Sequence, residues 1–129
     1  MNLAGKNVFL SGPMTGLKHN NVDDFARAHA IVRELGAKHV YNPAYMWLSQ
    51  PLVLDDRTTH EEYMRRCVYE LSRPAYGAVN VPYYEAVVFL DGWCDSPGAN
   101  LEHEVAQACG IPCVFIGDLS DPLEEQDEC

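Results

Sequence analysis

No run of this chain stays apolar over the ~20 residues that a membrane-spanning helix requires, and no basic-then-apolar leader opens it. The expectation is a cytoplasmic protein with no membrane partner. Basic residues are scarce: nine Lys and Arg stand against nineteen Asp and Glu, a formal charge of −10 over 129 residues. Asp118, Asp121, Glu124, Glu125, Asp127 and Glu128 supply six of those acids, and the body without them still carries −4. No broad basic face is left to track polymeric nucleic acid. A single small nucleotide stays compatible, because backbone amides bind one phosphate without net positive charge. The five cysteines, Cys67, Cys94, Cys109, Cys113 and Cys129, are odd in number and hold no CxxC pair, which argues against a disulfide framework. Cys109 and Cys113, with His103 nearby in sequence, read as small buried thiols rather than metal ligands. Cofactor signatures are missing too. Gly12 and Gly16 are not followed by Gly-Lys-Ser/Thr, and no G-x-G-x-x-G occurs, so neither a Walker loop nor a dinucleotide fingerprint is present. No cofactor and no metal are expected.

What remains is ordinary globular material: 47% hydrophobic residues in a length that suits one domain with a real core. Asn7-Val8-Phe9-Leu10 predicts a first strand, ending in the glycine-bracketed loop Ser11-Gly12-Pro13-Met14-Thr15-Gly16. Asn20 or Asn21 then caps a helix with Asp23 and Asp24 in its first turn and Val22, Phe25, Ala28, Val32 and Leu35 on one apolar stripe. His29, beside that stripe, reads as a partly buried surface histidine. Lys38 to Tyr41 predicts a second strand closed by Asn42-Pro43. Residues 44–54, Trp47 among them, are too apolar for a free loop and predict a lid or an oligomer contact. Thr58 or Thr59 starts a further helix with Tyr63, Cys67 and Leu71 along one face, ending near Ser72-Arg73-Pro74. Ala75 to Pro82 reads as an added loop. From Gly117 onward the acidic terminus reads as a solvated tail.

The chemical information concentrates between Tyr84 and Ile116. Ala86-Val87-Val88-Phe89-Leu90 reads as a strand buried on both faces. Behind it, Leu101, Val105, Ala108 and Cys109 recur at helical spacing up to Gly110, and Ile111-Pro112 stops that helix. In an open parallel sheet, loops leaving the carboxyl ends of strands form the ligand crevice, and the next helix points unpaired N–H groups into it. Ser96 to Ala99 is such a turn: Gly98 permits close backbone approach, and Ser96 offers a hydroxyl beside the amides. Glu102 follows within about one turn, where the helix dipole favours its ionised form.

The spacing Ser-x-Gly-x-x-x-Glu-x-x-x-Ala, carried by Ser96, Gly98, Glu102 and Ala106, resembles the nucleophile loop of the nucleoside 2-deoxyribosyltransferase superfamily. The likeness is strongest to its small bacterial and phage branch of deoxyribosyltransferase-like proteins, with deoxynucleoside-monophosphate N-glycosidases as more distant relatives. Further matches follow in order over residues 8–116: Phe9 to Leu17, Asn21 with Phe25, Val40-Tyr41-Asn42-Pro43-Ala44, Tyr63 with Arg65 and Arg66, and Leu90-Asp91-Gly92-Trp93. The resemblance implies an α/β, flavodoxin-like (Rossmann-like) three-layer sandwich with a four- to five-stranded parallel sheet over residues 1–117, followed by an acidic tail at 118–129. It implies Glu102 as nucleophile and Asp91 as acid or base, with Asp95 and Glu85 behind it. Substrate contacts are expected from Ser11, Gly12, Pro13, Met14, Thr15, Gly16, Asn42, Tyr63, Arg66, Trp93, Ser96, Gly98 and Ala99. One departure stands out: the family's helix aspartate aligns with Cys67. Such enzymes commonly form dimers or higher oligomers, so a homodimer is expected.

Each of these residues also has a plainer structural reading. Glu102 is explained as a dipole partner, Asp91 before Gly92 as a turn former, Ser96 as the N-cap before Pro97, and the loop glycines as turn residues. The ordered resemblance tips Glu102 towards chemistry. A serine at 96, where nucleoside transferases tend to carry an aspartate, favours an anionic phosphate and hence a nucleoside 5′-monophosphate. The expected activity is N-glycosidic cleavage, by hydrolysis or transfer. NAD-type N-ribosyl cleavage and a non-catalytic nucleotide-binding or interaction module are the alternatives.

Overall fold

Period-two alternation in two short strands organises the molecule. In a computed structural model, which describes residues 2–14, 17, 21–45, 60–76 and 78–120, β1 (Asn7–Ser11) and β5 (Ala86–Phe89) pair in parallel at the centre of a sheet. β2 (His39–Tyr41) and β6 (Cys113–Phe115) flank them, giving a four-stranded parallel sheet in the order β2-β1-β5-β6. Val8, Leu10, Ala86, Val88 and Leu90 face one layer, where Phe25, Ala28 and Val32 of helix α1 (Val22–Glu34) cover them. Phe9, Val87 and Phe89 face the other, against Cys67 and Leu71 of α2 (His60–Leu71) and Ala99 and Ala106 of α3 (Pro97–Ala108). Both faces of β5 are thus buried, as an unbroken apolar run requires in a parallel sheet. This is a flavodoxin-like three-layer arrangement. No helix among the described residues is long and apolar enough to cross a membrane.

The sheet order also locates the crevice. From the central pair, β1 leads through α1 to β2 on one side, and β5 leads through α3 to β6 on the other. The chain therefore diverges between the carboxyl ends of β1 and β5, the place where open α/β sheets bind ligands.

Several local expectations are corrected. Ala75 to Pro82 is not a bare loop: β3 (Pro74–Ala75) and β4 (Ala78–Pro82) pair as an antiparallel hairpin beside the main sheet. Asn21 occupies the N-cap position of α1 in a left-handed conformation (φ 63°) but caps nothing; its side-chain amide donates to the Pro13 carbonyl at 2.9 Å instead. The expected tail boundary at residue 117 falls inside a short helix, α4 (Ile116–Ser120), whose Ile116 and Leu119 pack on the α1-side core. Residues 121–129 lie outside the described residues, as do Thr58, Thr59 and most of the apolar 44–54 stretch, including Trp47.

The largest correction concerns α3. Of the apolar stripe Leu101, Val105, Ala108 and Cys109, only half-buried Val105 packs on the core: Leu101 is 44% exposed, and Ala108 and Cys109 are exposed. The buried stripe is Ala99, Glu102 and Ala106. Small side chains there let α3 lie close to the sheet, and a carboxyl takes a core position. Truncation should separate the two faces. Phe25→Ala, at a fully buried site, is expected to cost about 3–5 kcal/mol, and Leu101→Ala less than about 0.5 kcal/mol, read by urea denaturation.

Candidate active site

Ser11 ends β1 in the same alternation phase as Phe9, so its side chain faces the α2–α3 layer. There its hydroxyl donates to Glu102 Oε1 at 2.6 Å, and both residues are buried, Ser11 fully and Glu102 to 6% exposure. Glu102 is the sixth residue of α3, beyond the first turn where the dipole acts strongly. The expected dipole-favoured ionisation is therefore overturned. Burial pushes the Glu102 carboxyl up to about 7, with the Ser11 hydroxyl pulling the other way. From α2, Tyr63 and Cys67 approach Glu102, and its charge raises both of their pKa values on top of the larger effect of their own burial. The Cys67 thiol, standing where the resemblance expects an aspartate, is accordingly a neutral buried group. The Tyr63 hydroxyl donates to Met14 Sδ at 2.9 Å.

One helical turn before Glu102, on the same face of α3, Gly98 meets α2: a Cβ built there would stand 2.9 Å from Met64 Sδ. Gly98, Pro97, Ser96 and Asp95 form one wall of a cleft of about 400 Å³, and Pro13, Met14, Leu17 and His60 form the other. Ser96 is the N-cap of α3. Its Oγ accepts from the Ala99 N–H at 3.2 Å, and its carbonyl accepts from the Asn100 N–H. Pro97 has no N–H, which leaves Gly98 as the first-turn residue whose amide makes no hydrogen bond among the described residues. A serine hydroxyl has one proton and two lone pairs, so capping leaves its proton available to a ligand oxygen.

Pro13, Met14, Ser96 and Gly98 thus line this cleft, whereas Glu102 lies one helical turn beyond Gly98 with Ser11 on its carboxyl, and Tyr63 reaches the cleft only through Met14. Other expected site residues do not line it. Asp91 is exposed and opens onto a separate depression of about 320 Å³ beside Asp24, Arg27 and Ile31 of α1. Glu85 precedes β5 at the opposite end of the sheet, where its carboxylate accepts from the Asn7 N–H at 3.2 Å. Trp93 is buried against the α3 side of the sheet, stacked on His103 and Phe115 with ring centroids at 4.9 and 5.7 Å. It lines a different cavity, together with Gln107 and Cys113. Asn42 is committed to structure: its Oδ1 accepts from the Ala44 N–H at 3.0 Å, while its amide reaches the Phe25 carbonyl and His29 Nδ1. The Ala99 amide is consumed by the Ser96 cap. Gly12 has a packing reason, since a Cβ there would stand 2.8 Å from Leu90 Cβ. Arg66 lies close enough to Cys67 and Tyr41 for its charge to offset a small part of the rise that burial imposes on both. Thr15 and Gly16 fall outside the described residues.

Sequence reasoning missed one contributor to the cleft and the roles of two asparagines. His60 opens α2 and lines the cleft, a placement that only the tertiary fold creates. Asn21 pins the β1 loop through Pro13, and Asn100 ties the Trp93–Asp95 turn to α3 by donating to the carbonyls of Cys94 and Ser96 at 2.8 and 2.9 Å.

A family model described as a domain of unknown function, DUF4406, matches residues 6–115. The chain belongs to the DUF4406 family. The span that makes it a DUF4406 domain runs from just before β1 to the end of β6 and contains every residue of the cleft. No curated protein and no solved structure matches the chain.

Burying Glu102 has a measurable cost. Its proton is held more tightly folded (about 7) than unfolded (4.5), so the native state binds more protons between those values and stability falls as pH rises through that window. The loss levels off above pH 7 at about 3 kcal/mol. Glu102→Gln keeps an acceptor for Ser11 but removes the titration. It should match wild type near pH 4 and exceed it by about 3 kcal/mol at pH 8 in urea denaturation.

Proposed function

We propose that this domain cleaves the N-glycosidic bond of a (deoxy)nucleoside 5′-monophosphate, by hydrolysis or by transfer to another base, with Glu102 as nucleophile. One observation carries the reading: a carboxyl buried one helical turn beyond Gly98 of the cleft wall, with the Ser11 hydroxyl as its one hydrogen-bond donor among the described residues. A purely structural buried carboxylate is normally offset by a cation or several donors. Glu102 is left with a raised pKa instead, the signature of a group kept for chemistry. The DUF4406 family's association with deoxyribosyltransferase-like proteins supports the same reading.

In this reaction one Glu102 oxygen attacks C1′ from the face opposite the base. The C1′–O bond forms as C1′–N breaks, and the departing base takes the electron pair and a proton from an acid on the cleft wall. Water or an incoming base then attacks C1′, giving up a proton to the wall acid deprotonated in the first step, and the ester bond breaks to return the carboxylate. Ser96, through its free hydroxyl proton, and the Gly98 N–H suit the 5′-phosphate. Because attack needs ionised Glu102, kcat/KM should rise with pH through about 7.

Incubation with a panel of nucleoside and deoxynucleoside monophosphates and NAD, followed by chromatography of free base, tests the assignment. Base release from a monophosphate is expected, falling at least ~10³-fold in Glu102→Ala. Release from NAD alone favours the N-ribosyl alternative. No release from any of them, with nucleotides still raising the Tm, points to a binding module.

Asp95 takes the proton-transfer role here in place of Asp91, because Asp95 lines the cleft and Asp91 opens elsewhere. Asp95→Asn should lower kcat by ~10²-fold or more, and Asp91→Asn should change it only a few-fold. The opposite ranking would restore Asp91 to that role.

A further inference from the structure

We propose that Asn21 is a positioning residue for the cleft: it gives up the role of cap to α1 and instead holds the Pro13–Met14 wall against which a substrate sits. What that wall meets rests on the glycosidic reading of the site; where it stands does not. Asn21 is the non-glycine residue with a positive φ among the described residues, at φ 63° and ψ 30°. Left-handed backbone disfavours residues with a Cβ, although asparagine tolerates it better than most. The usual gain from an N-cap is absent as well, because the Asn21 side chain accepts from no first-turn N–H of α1. Its amide turns the other way and donates to the Pro13 carbonyl at 2.9 Å. One residue thus carries both an unfavourable backbone and an unmade cap, and a turn shaped for helix stability alone would carry neither.

Pro13 is where the chain most needs such a hold. As far as Ser11 the strand is fixed by β5, with the Leu90 N–H donating to the Ser11 carbonyl at 2.8 Å. Gly12 is still packed on Leu90, so close that a Cβ would stand 2.8 Å from Leu90 Cβ. At Pro13 the chain leaves the sheet, and a proline has no N–H, so its carbonyl is its single backbone hydrogen-bonding group. Asn21 takes that group, and Gly92 lies against the ring, where a Cβ would stand 3.5 Å from Pro13 Cγ. Met14 follows, buried, its carbonyl accepting from the Leu17 N–H at 3.2 Å. Pro13, Met14 and Leu17 form the apolar side of the cleft, and Asn21 itself does not line it. Asn21 therefore acts on a ligand through Pro13, by setting how far this side stands from Ser96 and Gly98 on the other. The Ser11–Glu102 pair does not depend on it, since β5 already holds Ser11.

Two variants separate the side-chain bond from the backbone turn. Asn21→Gly keeps the left-handed turn without strain and removes the amide, while Asn21→Asp keeps the shape but presents an acceptor to the Pro13 carbonyl. In protein labelled with ¹³C at the methionine methyls, Met14 reports the wall and Met64, packed against Gly98, reports the α2–α3 side of the site. Each signal is assigned by its loss in Met14→Leu or Met64→Leu. Both Asn21 variants should carry the Met14 signal towards the position of an unstructured methionine and sharpen it, with the Met64 signal in place and the urea midpoint near that of wild type. A Met14 signal unchanged in either variant overturns the proposal. So does a Met14 signal that moves together with Met64 or with a clearly lowered urea midpoint, since that marks a general structural role. With a nucleotide that wild type cleaves, both variants should raise KM roughly tenfold and change kcat less than about twofold. An unchanged KM, or a loss in kcat alone, also overturns the proposal. If wild type cleaves no nucleotide, the glycosidic reading falls, whereas the methyl signals still decide whether Asn21 holds this wall.

Discussion

A single buried hydrogen bond, from the Ser11 hydroxyl to the Glu102 carboxyl, joins the central strand to the helix that follows its neighbour. Everything near the cleft is arranged so that this bond can exist. β1 must be buried on both faces for Ser11 to have no solvent, and α3 must lie close enough to the sheet for a glutamate to reach the strand end. Ala99 and Ala106 provide that closeness towards the sheet, and Gly98 provides it towards α2. Larger side chains at those positions would lift α3 and break the contact. The sheet's topology then gives the bond a location: it forms where the chain diverges between β1 and β5.

Electrostatics give the bond its tension. A carboxyl at 6% exposure with one donor is costly when ionised, and the pair Tyr63 and Cys67 beside it offers hydroxyl and thiol but no cation. A fold selected only for stability would place an apolar residue at 102, as the alanines do on the rest of that stripe. Retaining an acid there trades native-state stability for a group whose charge is switched near neutral pH, a trade expected of sites of chemistry rather than of cores. Cys67 fits the same economy: a neutral thiol adds no second charge to a layer that already carries one poorly solvated carboxyl.

The fold was largely legible in the sequence, because its signals are periodic. The apolar runs at 7–10 and 86–90, the stripe Val22, Phe25, Ala28 and Val32, and the face Tyr63, Cys67 and Leu71 emerge as read, while Leu35, expected on that first stripe, caps the helix end at 40% exposure. Where reading failed, periodicity and burial disagreed. On α3 the hydrophobic residues Leu101 and Ala108 face water while Glu102 faces the core, so a pattern scored on polarity selects the wrong face. The hairpin at 74–82 carries Pro at both ends and no alternation strong enough to separate it from a loop. For the candidate site, motif spacing singled out Ser96 and Gly98, which line the cleft, and Glu102, buried one turn beyond, whereas long-range placement decided the rest. Asp91 and Trp93 are adjacent to the motif in sequence but turn away from the cleft, while His60, distant in sequence, lines it.

The account stands on Glu102 acting as a nucleophile towards carbon, and the most direct measurement is to trap it. Incubation with a 2′-fluorinated deoxynucleoside monophosphate, which slows breakdown of a glycosyl ester more than its formation, followed by peptide mass spectrometry, should reveal one sugar-phosphate adduct, and it should sit on Glu102. An adduct on any other residue, or base release without an adduct under conditions where turnover is slowed, would contradict it.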